Sequence, residues 1–352
     1  MQEVIASVFP LGFTEDVGTE EAFRAGIESG FAPGGQLCVR KGNVTLLDRA
    51  HGDAQPDLAF DLASLTKVLS TVYLVAKARQ YGLCELDDPL DRFVPAAAAG
   101  VTLRDALEHS SGYPAHRHFY DDLPEPAGSR EAYEFCVRAA ARTPLEAEPG
   151  TRIKYSDLGF ILLGAAMERL FAEPLAALVR KDTHGAFFPS NEDRASLQFA
   201  STAHLGLSED RPPVTLAPGV VHDGNCRAMG GAAGHAGLFG SARQVTALAA
   251  RWLAAARGED DAWLRPAFVA ETFAPSRIPG RATGWDRAML GGHTGDVWPA
   301  DTIGHLGFTG TSMWMSPSKR LICTLVINRG CTVAQLKEYR RTVYRAAWEE
   351  FS

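Results

Sequence analysis

Strand-like segments lie at the two ends of this 352-residue sequence, and helical ones fill its middle. Near the N-terminus, GTEEAFRAGIESG (residues 18–30) has amphipathic spacing closed by Gly30 and predicts a short helix. GGQLCVRKGNVTLLDRAHG (34–52) predicts two strands about a Lys-Gly-Asn turn. A buried helix follows, apolar at Leu65, Val68, Leu69, Val72, Leu74 and Val75 and ending near Gly82. Between about 85 and 220, helical segments near 102–109, 130–142 and 157–172 alternate with loops rich in Pro, His and acidic residues. A helix returns near 242–257, and HLGFTGTSMWMSPSKRLICTLVINR (305–329) predicts two buried strands joined at Ser-Pro-Ser-Lys. An amphipathic helix at about 332–350 ends the chain. The simplest closure of this order is an α/β fold of the α+β type, with a sheet built from both chain ends and a helical unit inserted. It divides the chain into a sheet domain, 1–75 with 225–352, and an inserted helical domain, 76–224.

Composition narrows the function. With 46% hydrophobic and 22% charged residues the chain has ample material for a core. A net charge of -7 leaves no basic patch to hold nucleic acid. No apolar run approaches the ~18 residues of a membrane span, and MQEVIASVFPLGFTED lacks the basic start and apolar stretch of a signal peptide. The expected compartment is the cytoplasm, or the periplasm if a leader precedes this sequence. The six cysteines form no C-x-x-C pair and sit mostly among apolar neighbours, as buried free thiols do.

One of the seven lysines interrupts an apolar run. In FDLASLTKVL (60–69), Lys67 follows Ser64 by three residues, which on a helix puts both on one face. If the helix starts near Ser64, its unpaired N–H groups point where an oxyanion would develop, and an apolar pocket lowers the lysine pKa. The alternative is an ordinary helix lysine with an exposed tip. The spacing alone is weak, because Ser316-Pro317-Ser318-Lys319 repeats it. There a strand follows, so that match reads as a turn.

Further residues add context. Tyr155 stands just before a helix that Asp157 can cap, and a nearby cation such as Lys67 would let its phenol act as a base. Taken alone it reads as a loop tyrosine. In GHLGFTGTSMW, Gly304, Gly307 and Gly310 flank a strand, where glycine often marks close approach of a ligand or of another backbone. The N–H of Phe308 is then a candidate oxyanion donor.

In order, Ser64-x-x-Lys67, Tyr155-x-Asp157 and His305-x-Gly307 resemble the serine β-lactamase and penicillin-binding-protein superfamily, in its class C-like branch of esterases and D-amino-peptidases. LEHSSGYPAH and GGAAGHAGLFGSARQV resemble accessory segments of the same relatives, so the likeness spans about 18–345. It implies an antiparallel sheet flanked by helices. It also implies Ser64 as acylated nucleophile, Lys67 and Tyr155 sharing proton transfer, and an oxyanion hole from the N–H groups of Ser64 and Phe308. Asp157 stands where the family often has Asn, and its carboxylate favours the charged lysine, which shifts the base role toward Tyr155. His305-Leu306-Gly307 stands where β-lactamases carry Lys-Thr/Ser-Gly. Without that cation and hydroxyl, penicillins and D-Ala termini are expected to bind less well and neutral esters to lose less.

The expected function is a serine hydrolase acting through an acyl-enzyme on small esters, with β-lactam or D-amino-acid peptide hydrolysis as the alternative. A penicillin-binding or sensor protein that is acylated without turnover is the reading from another class. The partner is a small ester, amide or lactam, and the chemistry needs no cofactor. His116, His118 and Asp121 in HRHFYDD hint at metal ligands, but their spacing fits no metal box, so no metal is expected. His235 lines the cleft or packs in its glycine-rich turn. The long loops at 113–128 and 181–220 are candidates for the cleft rim. Neither a G-x-S-x-G elbow nor a nucleotide-binding glycine motif is present.

Overall fold

A computed structural model describes residues 17–180, 182, 185–202 and 216–352. The strands are β1 (Gly34–Lys41), β2 (Val44–Gly52), β3 (Phe60–Asp61), β4 (Phe239–Gly240), β5 (Asp286–Arg287), β6 (Ile303–Leu306), β7 (Ser312–Ser316) and β8 (Leu321–Ile327). Six of them form one sheet in the order β2-β1-β8-β7-β6-β5, antiparallel at every pairing, so the two chain ends do meet in one sheet. β3 and β4 pair separately. The β1–β2 hairpin turns at Gly42, whose φ of +57° suits glycine. The segment 305–329 contributes three strands rather than two. The chain reverses at Gly307–Thr311, where the Gly307 N–H donates to the Thr311 carbonyl at 2.7 Å and Gly310 takes a φ of +117°.

Alternation along the strands feeds two cores. Leu37, Val39, Leu325 and Ile327 face the helices Thr19–Glu28 and Val333–Phe351, while Cys38, Ile322 and Val326 face the helix Ala242–Ala256 and the main core. Capping boxes at Thr332/Gln335 and Ser241/Gln244 start the second and third of these helices. All six cysteines are buried free thiols. No helix among the described residues is long and apolar enough to cross a membrane.

The helix Asp157–Phe171 is buried along almost its whole length, which explains its nearly unbroken apolar sequence. Ser156 rather than Asp157 caps it, accepting from the Gly159 N–H at 3.4 Å. Its flank is held against the loop that precedes β4 by two glycines. A Cβ on Gly164 would lie 2.8 Å from the Gly234 backbone, and one on Gly234 would run into the Phe160 carbonyl. Such overpacking costs about 1–3 kcal/mol. Gly234→Ala is expected to lose about that much stability in chemical denaturation, while Gly100→Ala, whose added Cβ meets nothing within 4 Å, loses only what its φ of +82° imposes.

Candidate active site

The Ser64 segment bends sharply before it becomes helical. Ala63 sits at φ +47°, a costly conformation for a residue with a Cβ. Buried Asp61 supports it, accepting from the Ala63 N–H at 2.9 Å and the His222 N–H at 2.7 Å. Burial pushes the Asp61 carboxyl up to about 6, against these two bonds. A π-helical turn, Lys67–Thr71, follows and runs into the helix Val72–Gln80. The glycine-rich loop braces this turn. Leu238 donates to Thr66 Oγ1 at 3.0 Å, and Thr71 Oγ1 donates to the Gly234 carbonyl at 2.7 Å.

This geometry brings the three central residues together. Lys67 is fully buried and its ammonium spends all three hydrogens: on Ser64 Oγ at 3.0 Å, Asp157 Oδ1 at 2.7 Å and the His235 carbonyl at 3.0 Å. The Tyr155 hydroxyl donates to Ser64 Oγ at 2.8 Å. Burial alone would lower the lysine pKa, but the Asp157 carboxylate and Tyr155 outweigh it, and the ammonium is held above its ordinary range. Burial also raises the Tyr155 phenol, with the Lys67 charge opposing. Burial likewise works against the Asp157 charge, yet Lys67, His116 and His235 hold that carboxyl far below its usual range.

The accessory segment LEHSSGYPAH forms a pedestal under Tyr155. The His109 ring stacks on the Tyr155 ring at 4.5 Å, and His109 Nδ1 accepts from the Ser156 N–H at 3.0 Å. Burial keeps His109 neutral. The Pro114 carbonyl accepts from Ser156 Oγ at 2.6 Å and the Ala115 carbonyl from the Asp157 N–H at 2.8 Å.

The remaining expected site residues divide. His305 is buried on β6, its ring 6.0 Å from that of Tyr155, and burial takes its pKa down to about 4, so it is neutral. The turn after β6 docks on the Ser64 segment: Thr309 Oγ1 donates to the Asp61 carbonyl at 2.8 Å and Thr311 Oγ1 to the Leu62 carbonyl at 3.1 Å. A Cβ on Gly307 would lie 2.8 Å from that same Leu62 carbonyl. Among the described residues, neither the Ser64 nor the Phe308 N–H has an acceptor, leaving both available to an oxyanion. The Phe308 ring is 47% exposed and stacks on His222. His235 does not line the cleft. It is 1% exposed, its Nε2 faces Asp223 at 2.8 Å, and only its carbonyl reaches Lys67.

The histidine-rich loop is not one cluster. His116 Nδ1 meets Asp157 Oδ2 at 3.2 Å, while His118 Nδ1 meets the Tyr120 hydroxyl at 2.7 Å. His116, Asp157 and Asp223 present ligand-type atoms within 4.8 Å of one another. Each already has a partner, and the Lys67 ammonium stands beside them, so the cluster is satisfied internally. Ser316 and Lys319 form the expected turn, with Ser316 Oγ on Asp301 and Lys319 exposed. The 113–128 loop carries His116 to the site. The 181–220 loop lies partly outside the described residues, at 181, 183–184 and 203–215.

The family model described as Beta-lactamase matches residues 19–344. The chain belongs to the beta-lactamase family, and it is a serine hydrolase of that family. It is 28% identical over 299 residues, 77% of this chain and 69% of the relative, to the "Putative D-alanyl-D-alanine carboxypeptidase" of Escherichia coli K12. It is also 28% identical over 305 residues, covering 77% and 68%, to the "N-acetylmuramyl-L-alanine amidase" of Bacillus subtilis 168. Among solved structures, "EstCE1, a hydrolase with promiscuous acyltransferase activity" aligns with a TM-score of 0.73 at 20% identity, covering 93% of this chain and 97% of that one. That last likeness establishes the fold alone. Beyond this beta-lactamase-family core, the sequence motifs had not identified His109, His116, Asp61 or Asp223 as parts of the site. The first two lay in segments already noted, while the acids carry no local pattern.

If Ser64 is the nucleophile, the resting arrangement has one proton too many for attack. Ser64 Oγ accepts from both Lys67 and Tyr155, so the reactive state requires loss of one proton from that pair. Because both groups are raised, acylation is expected to increase toward alkaline pH. Asp157→Asn removes the charge that holds the ammonium and leaves burial to lower it. The rising limb of kcat/KM against pH should then move to lower pH by about 1–3 units. A limb that stays in place or moves upward counts against Asp157 controlling this proton.

Proposed function

We propose that this serine hydrolase cleaves small carboxylic esters through an acyl-enzyme on Ser64. The observation that carries the reading is the placement of one partly exposed hydroxyl within hydrogen-bond reach of both a buried ammonium and a phenol. With Lys67 held charged, Tyr155 takes the serine proton as Oγ attacks the ester carbonyl, and returns it to the leaving oxygen. The N–H groups of Ser64 and Phe308 receive the oxyanion. Water then attacks the acyl-enzyme along the same path in reverse.

The ester preference is supported by β6. Neutral His305 and apolar Leu306 occupy the positions of a cation and a hydroxyl in β-lactamases, so those two contacts to a lactam or D-Ala carboxylate are missing. Hydrolysis of D-amino-acid peptides is the second reading, favoured by the likeness to the "Putative D-alanyl-D-alanine carboxypeptidase" of Escherichia coli K12.

Intact-protein mass after mixing with p-nitrophenyl butyrate and, separately, a fluorescent penicillin tests both readings. The expected result is ester turnover that Ser64→Ala abolishes, with little penicillin adduct. A stable penicillin adduct with feeble ester turnover would instead make this a penicillin-binding or sensor protein. Tyr155→Phe is expected to lower the acylation rate by about 100- to 10,000-fold in single-turnover kinetics. An undiminished rate would return the base role to Lys67.

A further inference from the structure

Two buried arginines converge on the turn Gly307–Thr311. Arg340, on the helix Val333–Phe351, is 3% exposed, and Arg329, just after β8, is 2% exposed. Among the described residues, every side-chain hydrogen bond of the two ends on a backbone carbonyl of that turn, and neither meets a carboxylate. Arg341, one residue further on, is the contrast: it pairs with Asp296 at 2.8 Å. Burial takes the Arg340 pKa down to about 10, which leaves the guanidinium charged at neutral pH. Burying a cation without an anion is costly, so what its hydrogen bonds hold is informative.

Arg340 Nη2 donates to the Gly307 carbonyl at 3.1 Å and to the Thr311 carbonyl at 2.7 Å. Arg329 Nε donates to the next carbonyl, that of Phe308, at 2.7 Å, with its guanidinium 4.5 Å from the centre of the Phe308 ring. The Gly307 carbonyl and the Phe308 N–H belong to one peptide group. In a planar trans peptide the two point in opposite directions. A cation that holds the carbonyl therefore turns the N–H away from itself, and that N–H has no acceptor among the described residues. The charge also polarises the peptide and makes its N–H a stronger donor.

The fold does not require Arg340 to satisfy these carbonyls. The Gly307 carbonyl already accepts from the Gly310 N–H at 3.1 Å, and the Thr311 carbonyl from the Gly307 N–H at 2.7 Å. The guanidinium adds direction and charge where no partner was missing. A buried charge that stability does not need is the kind of cost retained for activity.

We propose that Arg340 is a positioning residue for the oxyanion hole: by gripping the Gly307 carbonyl it fixes and polarises the peptide whose N–H, that of Phe308, receives the oxyanion, while Arg329 holds the peptide that follows. The inference rests on the reading of Ser64 as nucleophile and Phe308 as oxyanion donor, and deepens it by naming what aims that donor.

Arg340→Met, with p-nitrophenyl butyrate as substrate and propylboronic acid as inhibitor, tests it. Boron takes the place of the butyryl carbonyl carbon and becomes tetrahedral on Ser64. Because both carbonyls keep a backbone donor, the melting temperature is expected to stay within about 3 °C of wild type. A misaimed donor should lower kcat by about 10- to 100-fold, leave KM within about threefold, and weaken the boronic acid by a factor similar to that in kcat. Arg340→Lys, which keeps the charge without the planar edge, should fall between. A folded Arg340→Met enzyme with kcat within twofold of wild type overturns the proposal. So does a loss that falls on KM while boronic acid affinity is unchanged. If Arg340→Met does not fold, Arg340→Lys decides: a kcat at least threefold down at unchanged KM supports the role, and a wild-type kcat overturns it. The underlying reading fails differently, in the parent enzyme. Absence of ester turnover there, or turnover that survives Ser64→Ala, defeats the reading of Ser64 and the role of Arg340 with it.

Discussion

A buried ammonium must be answered on every side, and Lys67 determines where much of this protein goes. Its three acceptors come from three parts of the chain: the turn on which it stands, the first residue of the helix Asp157–Phe171, and the glycine-rich loop before β4. Removing the charged partner of such a pair typically costs about 3–5 kcal/mol, because the remaining charge stays buried. The close glycine contact between Gly164 and Gly234 follows from this requirement. Helix and loop have to approach closely enough for an Asp157 oxygen and a His235 carbonyl to reach the same nitrogen. The pedestal segment does the corresponding work below, fixing Ser156 and Asp157 through bonds to His109, Pro114 and Ala115.

The same pairing that stabilises the fold constrains the chemistry. Asp157 keeps Lys67 charged, and a charged amine is a donor rather than a base. What it supplies instead is a fixed positive charge 5.0 Å from the centre of the Tyr155 ring. That charge favours the phenolate, whereas burial disfavours it. His116 adds a further control. Its bond to Asp157 raises its own pKa and draws on the carboxylate that serves Lys67. Asp223, held down to about 2 by His235 against the cost of burial, places a second negative charge behind the first. Ser64 thus sits at the end of an alternating series of charges rather than beside one isolated charge.

Much of this was legible in the sequence where a local rule dictates the outcome. The two strands expected about the Lys-Gly-Asn turn became β1 and β2, and the three-residue spacing of Ser64 and Lys67 brought their side chains together. The order of the three boxes carried the family. Tertiary partners decided what the sequence left unresolved. Ser156 and Asp157 are both capping types, and Ser156 took the cap because Lys67 and His116 claimed the carboxylate. The histidines of HRHFYDD separated because only His116 faces Asp157. One predicted strand became two because Gly307 must dock on Leu62, which reverses the chain there.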